Sequence, residues 1–387
     1  MKFVRLKELG EIITGNTPKT SEFQNYESDD ICFVKPSDID DKSISKLKNS
    51  EYYISEYARK SARIAPKNSI LVTCIGIIGK IAILEDECAF NQQINAIITD
   101  EKQIYPLYLA YNLFFQKKYL QQKAKAPVVP IINKTDFGDF KVKLHNLIEQ
   151  QKIVDILDKV ENLIDNRQQQ LNLLDELIKS RFIEMFGDPV TNPMNWNIQS
   201  MLELGEFKNG MNFHNGDNSI DVHCLGVGDF KNLSVISNTS YLPEISLNEK
   251  PTNEYILRNN DVVFVRSNGN KNLVGRCVLV YPNDVLTIFS GFCIRFRLLN
   301  IKYIVPMYLL QVLKHESMRR KMLGRGVNIQ NLNQQILSKL CIPTPPVELQ
   351  NKFAAFVEQT EKTKSTIKKS LDELNLLKDS LMQKYFG

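Results

Sequence analysis

The sequence predicts an α+β protein: two similar α/β domains, each followed by a long helix, with the two helices packed as an antiparallel intramolecular coiled coil. Three observations lead there. A heptad run occurs twice, short strings recur in order ahead of each run, and both runs carry helix start and stop signals.

Alternating steps of four and three give Ile153, Leu157, Val160, Ile164, Arg167, Leu171, Leu174, Ile178, Arg181 and Met185, a mostly apolar seam. The same steps 200 residues later give Phe353, Val357, Thr360, Lys364, Ile367, Leu371, Leu374, Lys378, Leu381 and Tyr385. Both runs end in Phe-Gly, at Phe186-Gly187 and Phe386-Gly387.

The bulk composition sets the bounds. A chain of 387 residues that is 43% apolar suits two or three domains, each able to bury a core. The opening MKFVRLKELGEI has no apolar signal core, and the most apolar run, Ile70 to Leu84, is short and carries Lys80. The expectation is a soluble cytoplasmic protein without a membrane partner. Seven cysteines, at 32, 74, 88, 224, 277, 293 and 341, form no C-x-x-C pair, and there are only four histidines. That pattern suits buried, reduced thiols and neither a metal site nor a disulfide framework. The net charge of +5 leaves an anionic partner open.

Taken in order, the first copy opens with Leu6-Lys-Glu-Leu-Gly10-Glu and a turn-rich stretch from Thr14; the second opens with Leu202-Glu-Leu-Gly205-Glu206 and Lys208-Asn-Gly210. Strand-like runs follow, Ile31 to Lys35 against Val222 to Val227. Next, Ile70 to Leu84 contains Gly79-Lys80, and Asp261 to Val280 contains Gly275-Arg276, which places a turn between two strands in each copy. The period then changes from two to 3.6. Pro106-Leu-Tyr-Leu matches Pro306-Met-Tyr-Leu, with proline at a first helical turn where its missing N–H costs nothing. These helices end in basic stretches, Lys117, Lys118, Lys123 and Lys125 in one, Arg319, Arg320, Lys321 and Arg325 in the other. A polar loop reaches Asn133 and Asn333 in register.

The long helices start at a capping pattern, Asn146 with Glu149, and at Pro345-Pro346, and Gly187-Asp-Pro189 closes the first. Forty residues at ~1.5 Å each make a rod of ~60 Å. One such helix would leave its seam exposed. Two matched seams in one chain favour mutual pairing over packing on the parent domain. The return through the intervening domain makes the pair antiparallel, and the matched ends make the molecule pseudo-twofold and near-cyclic.

Catalytic motifs are weak. Asp188-Pro-Val and Asn192-Pro-Met fall short of a methyltransferase strand end. Gly76-Ile-Ile-Gly79-Lys80 is too short for a phosphate loop and precedes a strand. Asp100-Glu-Lys102 reads as a solvated turn, and His214 and His223 as surface or loop residues. No catalytic residue, metal or cofactor is assigned.

A recognition surface remains. The first copy places Thr14, Asn16, Lys19, Lys80, Asn91, Gln92, Gln93, Lys125, Asn133 and Lys134 in its loops. The second places Asn209, Asn212, Arg266, Asn268, Asn270, Lys271, Arg276, Arg325, Asn328, Gln330, Asn331 and Asn333 there. Asn and Gln can bond adenine bidentately, Arg and Lys read guanine, and further cations meet phosphate.

These features together resemble the specificity subunit of type I restriction-modification systems. The carrying strings are Leu9 to Pro18, the Gly79-Lys80 and Gly275-Arg276 turns, the loops before Asn133 and Asn333, and Pro345 to Gln350; the resemblance covers the whole chain. It implies target recognition domains at 1–144 and 188–343, each reading one half of a bipartite target in double-stranded DNA. It implies conserved helices at 145–187 and 344–387 that set the half-site gap and dock methyltransferase (M) subunits. Endonuclease (R) subunits would join through that complex, and the chain itself would be no enzyme. Two departures stand out. The Pro-Pro entry is His145-Asn146 in the first copy, and its loop reads Ala126-Pro127-Val-Val-Pro130 where the second has Gly326-Val-Asn328-Ile-Gln330, so fewer base contacts are expected there. An orphan regulatory specificity protein, a nuclease with an unrecognised site and a structural adaptor are the competing readings.

Overall fold

The computed structural model describes residues 2–124, 129–212, 220–230, 233–323 and 331–387, with Lys271 as main chain only. The chain forms two compact units, Met1–Gln168 with Lys369–Gly387, and Gln169–Lys368.

Strands form where apolar runs are bounded by turns, and the order of pairing is the same in both units. In the first, a five-stranded sheet runs Gly10–Thr14, Ile94–Thr99, Ile70–Thr73, Ile81–Leu84, Ser45–Leu47. In the second it runs Gly205–Asn209, Cys293–Leu298, Asp261–Val265, Cys277–Val280, Val235–Ile236. Each is antiparallel except for its last pair, which is parallel. A smaller sheet centres on Ile31–Val34 in one unit and Ile220–Leu225 in the other, with an antiparallel neighbour on one side and a parallel one on the other. The expected strand pairs around Gly79 and Gly275 are both present, joined by residues 74–80 and 266–276. Both glycines have positive φ, 82° and 75°, the turn conformation that glycine adopts without a Cβ clash.

The central strands Ile70–Thr73 and Asp261–Val265 are buried at every position, and mostly apolar, because both sheet faces are covered. Ile70 and Val72 face the helical side while Leu71 faces the smaller sheet; Val262 and Phe264 divide from Val263 and Val265 in the same way. The recurring Leu-Gly-Glu string has a steric cause. A Cβ on Gly10 would lie 2.2 Å from the Ile98 carbonyl oxygen, and one on Gly205 2.3 Å from that of Arg297.

Helices Pro106–Phe115 and Pro306–Lys314 cover the sheets, and each is fastened to a long helix by a buried glutamine. Gln150 Oε1 accepts from the Tyr105 N–H at 2.9 Å, and its amide donates to the Gln103 and His145 carbonyls at 3.1 and 2.8 Å. Gln350 does the same with Val305, Tyr303 and Pro345 at 2.8, 3.1 and 2.8 Å. The His145-Asn146 departure keeps this arrangement. Asn146 caps the Glu149 N–H at 2.9 Å, and the His145 ring lies 2.7 Å from the Tyr108 hydroxyl. Burial holds that imidazole below its ordinary pKa, which keeps it neutral.

The long helices are Leu147–Phe186 and Val347–Phe386. In the first unit Lys143 Nζ donates to the Gly387 main-chain oxygen (2.8 Å) and Lys378 pairs with Glu161 (2.5 Å), so one helix descends as the other ascends. In the second, Phe186 packs on Phe353 with ring centroids 5.4 Å apart and Asp175 pairs with Lys364 at 2.7 Å, again antiparallel. The seam lysines Lys364 and Lys378 thus each meet a carboxylate of the facing helix. Pairing and packing on the globular core go together. Ile153, Leu157, Met382 and Phe386 belong to the first core, and Ile178, Phe182, Phe186, Phe353 and Val357 to the second. One seam position is corrected: Arg181 is exposed and bonds Glu184, while Phe182 is buried, because beyond Ile178 the helix follows an i, i+4 stripe against the domain. Two further expectations fail locally. Cys341 is exposed although the other six cysteines are buried, and His223 is a half-buried strand residue bonded to the Leu242 carbonyl. His214 lies outside the described residues.

Replacing either glutamine by alanine strands a buried N–H and two carbonyls, at roughly 1–3 kcal/mol for each unsatisfied group. Gln350→Ala is expected to lower the urea midpoint of the second unit and to speed amide exchange at Val305, with Gln150→Ala acting likewise at Tyr105. Unchanged exchange at those amides would sink the assignment.

Candidate nucleic-acid interface

In each unit several loops converge on one end of the five-stranded sheet, because antiparallel pairing brings their strand ends together. In the first, Gly15 and Asn16 donate to the Ile94 and Phe90 carbonyls, Cys74 donates to Gln93, and Ile132 donates to Cys74. In the second, Gly210 donates to Cys293, Arg266 to Phe292, and Leu332 to Arg266. Close approach again demands glycine, since a Cβ on Gly15 or Gly210 would lie within 2.3 or 2.0 Å of a carbonyl oxygen.

The candidate side chains divide by what already holds them. Asn16 donates to the Ser61 carbonyl at 2.6 Å and accepts from the Arg63 N–H at 2.7 Å, tying down a neighbouring loop. Lys80 donates to the Pro36 and Ile39 carbonyls at 2.8 and 2.7 Å. Asn91 is buried against Gln93, and Asn133 and Asn333 cap short helices. Thr14 bonds Asn95 at 2.7 Å, and Gln92 accepts from Thr17 at 2.8 Å while remaining exposed. Lys19 pairs with Glu22 at 3.5 Å and Lys134 is exposed on a helical first turn.

In the second unit Asn209, Asn212, Asn270 and Asn331 are exposed at the sheet end. Asn212 packs into the space beside Gly291, and Arg266 reaches the Gly291 carbonyl at 3.5 Å. Asn268 and Asn270 each accept from the N–H two residues on, at 2.8 and 3.0 Å, which shapes the 266–276 loop. Arg276 donates to the Asn272 carbonyl at 3.3 Å. Lys125, Arg325, Asn328 and Gln330 lie outside the described residues, as does the Lys271 side chain.

Two apolar side chains stand among these polar candidates. Ile77 and Phe292 stand 57% and 60% exposed in these loops. Phe292 interrupts the polar Ser290-Gly291 turn, a signal the sequence does contain.

The Asp100-Lys102 string is a turn: the Asp100 carboxylate accepts from the Gln103 amide and the Lys102 N–H, which hold it below its ordinary pKa. Among the described residues no three His, Cys, Asp or Glu side chains gather as a metal site, and no helix is long and apolar enough to cross a membrane.

The chain is 23% identical to the type I restriction enzyme MjaIX specificity subunit of Methanocaldococcus jannaschii, over 98% of this chain and 91% of that one. It is 25% identical to the StySPI specificity subunit of Salmonella potsdam, over 97% and 86%. Among solved structures, the S subunit of a type I restriction-modification system from M. genitalium aligns with TM-score 0.57 and 14% identity, over 100% of this chain and 96% of that one. A chain from a type I R-M system aligns with TM-score 0.62 and 16% identity, over 99% and 97%. The family model of the type I restriction modification DNA specificity domain matches residues 1–176 and 193–376, and with both repeats so accounted for, the chain belongs to that family of DNA-recognition subunits.

Proposed function

We propose that this chain is the non-catalytic specificity subunit of a type I restriction-modification complex, with target recognition domains at 1–144 and 188–343 and conserved helices at 145–187 and 344–387. The observation that carries this reading is one strand order used twice with differing loops at the sheet end. A shared scaffold supplies the position, and unlike loops supply two unlike half-sites in double-stranded DNA. Amide groups of Gln92, Asn209, Asn212, Asn270 and Asn331 have the chemistry to bond base edges, and Arg266 and Arg276 to meet guanine or phosphate. Ile77 and Phe292 have the chemistry to touch a thymine methyl. Asn16, Lys80, Asn91, Asn133 and Asn333 act by holding the loops in shape. The long helices set the half-site gap and dock methyltransferase subunits, through which endonuclease subunits join. The protein works in the cytoplasm, where its DNA is.

Methylome sequencing of cells expressing this chain with its methyltransferase partner tests the reading. A bipartite, asymmetric methylated sequence is expected. Inserting four residues into each long helix lengthens it by ~6 Å, so the gap should grow by just under two base pairs at ~3.4 Å each, with half-sites unchanged. An altered half-site at constant gap contradicts the spacer role. Exchanging residues 1–144 for those of a relative should change one half-site only.

Phosphate contact makes duplex affinity fall linearly with the logarithm of salt concentration. A flat salt response in the purified complex would leave an adaptor role instead. Replacing Asp100 and Lys102 by alanine should leave DNA cleavage by the reconstituted complex unchanged.

A further inference from the structure

One turn at the sheet end of the second unit combines a fixed main chain with an uncovered ring. Every main-chain polar group from Ser290 to Cys293 is bonded. The Ser290 N–H donates to Leu225, that of Gly291 to Met211 and that of Cys293 to Ser290, at 3.0, 2.9 and 2.8 Å. The Gly291 carbonyl accepts from the Arg266 guanidinium at 3.5 Å, and the Cys293 carbonyl from the Gly210 N–H at 3.0 Å. Phe292 is held at both ends: its N–H donates to the Ser290 hydroxyl at 3.4 Å, and its carbonyl accepts from Arg266 and Ser267 at 2.8 and 3.4 Å. Asn212 fills the space that a Cβ on Gly291 would need. The turn therefore has little freedom, yet the ring it carries stands 60% exposed.

A phenyl ring kept in water adds little to the fold. Its neighbours are amides and a cation, Asn212 and Arg266 at the turn itself and Asn331 across the bridge to Ser267. A rigid aromatic in such company is the form that a recognition anchor takes.

The first unit treats the same position differently. Its topological equivalent is Gln93, whose carbonyl accepts from the Cys74 N–H at 2.8 Å as that of Phe292 does from Arg266. Gln93 is half-buried, and its Oε1 accepts from the Asn91 amide at 2.9 Å. One copy closes the position with a bonded amide, and the other turns a ring outward.

Resting on the reading that this sheet end faces duplex DNA, we propose that Phe292 is a wedge: its ring enters a base step of the half-site read by the second unit, parts the stack and lies against a base face. Apolar side chains do this where a step opens readily, and pyrimidine–purine steps open most readily. The base face then covers the ring. Sequence is selected at that step by the ease of deforming it, without a hydrogen bond, so the half-site gains a position that the amides do not read.

The test uses the chain assembled with its methyltransferase partner, and a duplex carrying the half-site that survives exchange of residues 1–144. Adenines of both strands, other than any methylated base, are replaced in turn by aminopurine, whose fluorescence rises when it is unstacked. Brightening at one step is expected with the unaltered chain and with Phe292→Trp. Phe292→Ala should abolish it and weaken binding about tenfold, the scale of one base–aromatic stack. The salt slope should stay the same, because no phosphate contact is removed. The melting temperature should also stay the same, because the ring is exposed. Weaker binding by Phe292→Ala with no brightening in the unaltered complex limits the ring to a groove contact and overturns the wedge. Brightening that persists in Phe292→Ala overturns it too. Should Asn270→Ala and Asn331→Ala leave the affinity unchanged as well, the reading of the sheet end has failed along with the wedge.

Discussion

A buried amide that satisfies three main-chain groups at once is the constraint on which each half of this molecule rests. Gln150 and Gln350 sit in the first turns of the long helices, fully enclosed, and join the helix entry to the start of the helix that covers the sheet. Only glutamine or asparagine carries both an acceptor and two donors on one planar group, and only the longer of the two spans this gap from a helical position. The flanking residues vary, His145-Asn146 in one copy and Pro345-Pro346 in the other. The bonds made by the amide do not.

From that joint the long helix acquires two jobs. Its apolar residues complete the core of a globular domain, and its seam pairs with a stretch of the other helix running the opposite way. The buried Lys364 and the half-buried Lys378 are tolerable because each finds a carboxylate across the seam, Asp175 and Glu161 respectively. Such pairs add little net stability but penalise a shifted register, where a charge would be left without a partner. Two uses of one helix face are compatible because the domain and the facing helix meet it together, as where Phe186 packs both on Tyr308 and on Phe353.

Periodic features were legible in the sequence. The heptad run, the strands around Gly79 and Gly275, the proline-led helices and the Asn146 cap all follow from local pattern, and repetition doubled the signal for each. What failed was non-local. Arg181 fits the heptad count, yet the domain surface draws Phe182 inward instead. Lys80 reads as a free cation beside a glycine turn, but the carbonyls that hold it belong to residues about forty positions upstream. The same limit applied to the candidate site. Its placement in loops could be read from local pattern, whereas the gathering of those loops at a sheet end and the division between side chains that shape the loops and those that face outward depended on partners distant in sequence, as with Asn16 and Ser61.

The discontinuous first unit has a consequence for synthesis on the ribosome. Residues 169–368 form the second unit from one unbroken stretch of chain, whereas the first needs Lys369–Gly387 to supply Met382 and Phe386 to its core. Domains made first ordinarily finish first. Here the order inverts: the amino-terminal half emerges early but waits, with an apolar wall uncovered, until the last helical turns arrive, while the later half is already complete. The loop to be closed is long, yet closure entropy grows only with the logarithm of its length. The exposure lasts as long as translation of the intervening residues, which makes a holdase during that interval more valuable to this topology than to one of two sequential domains.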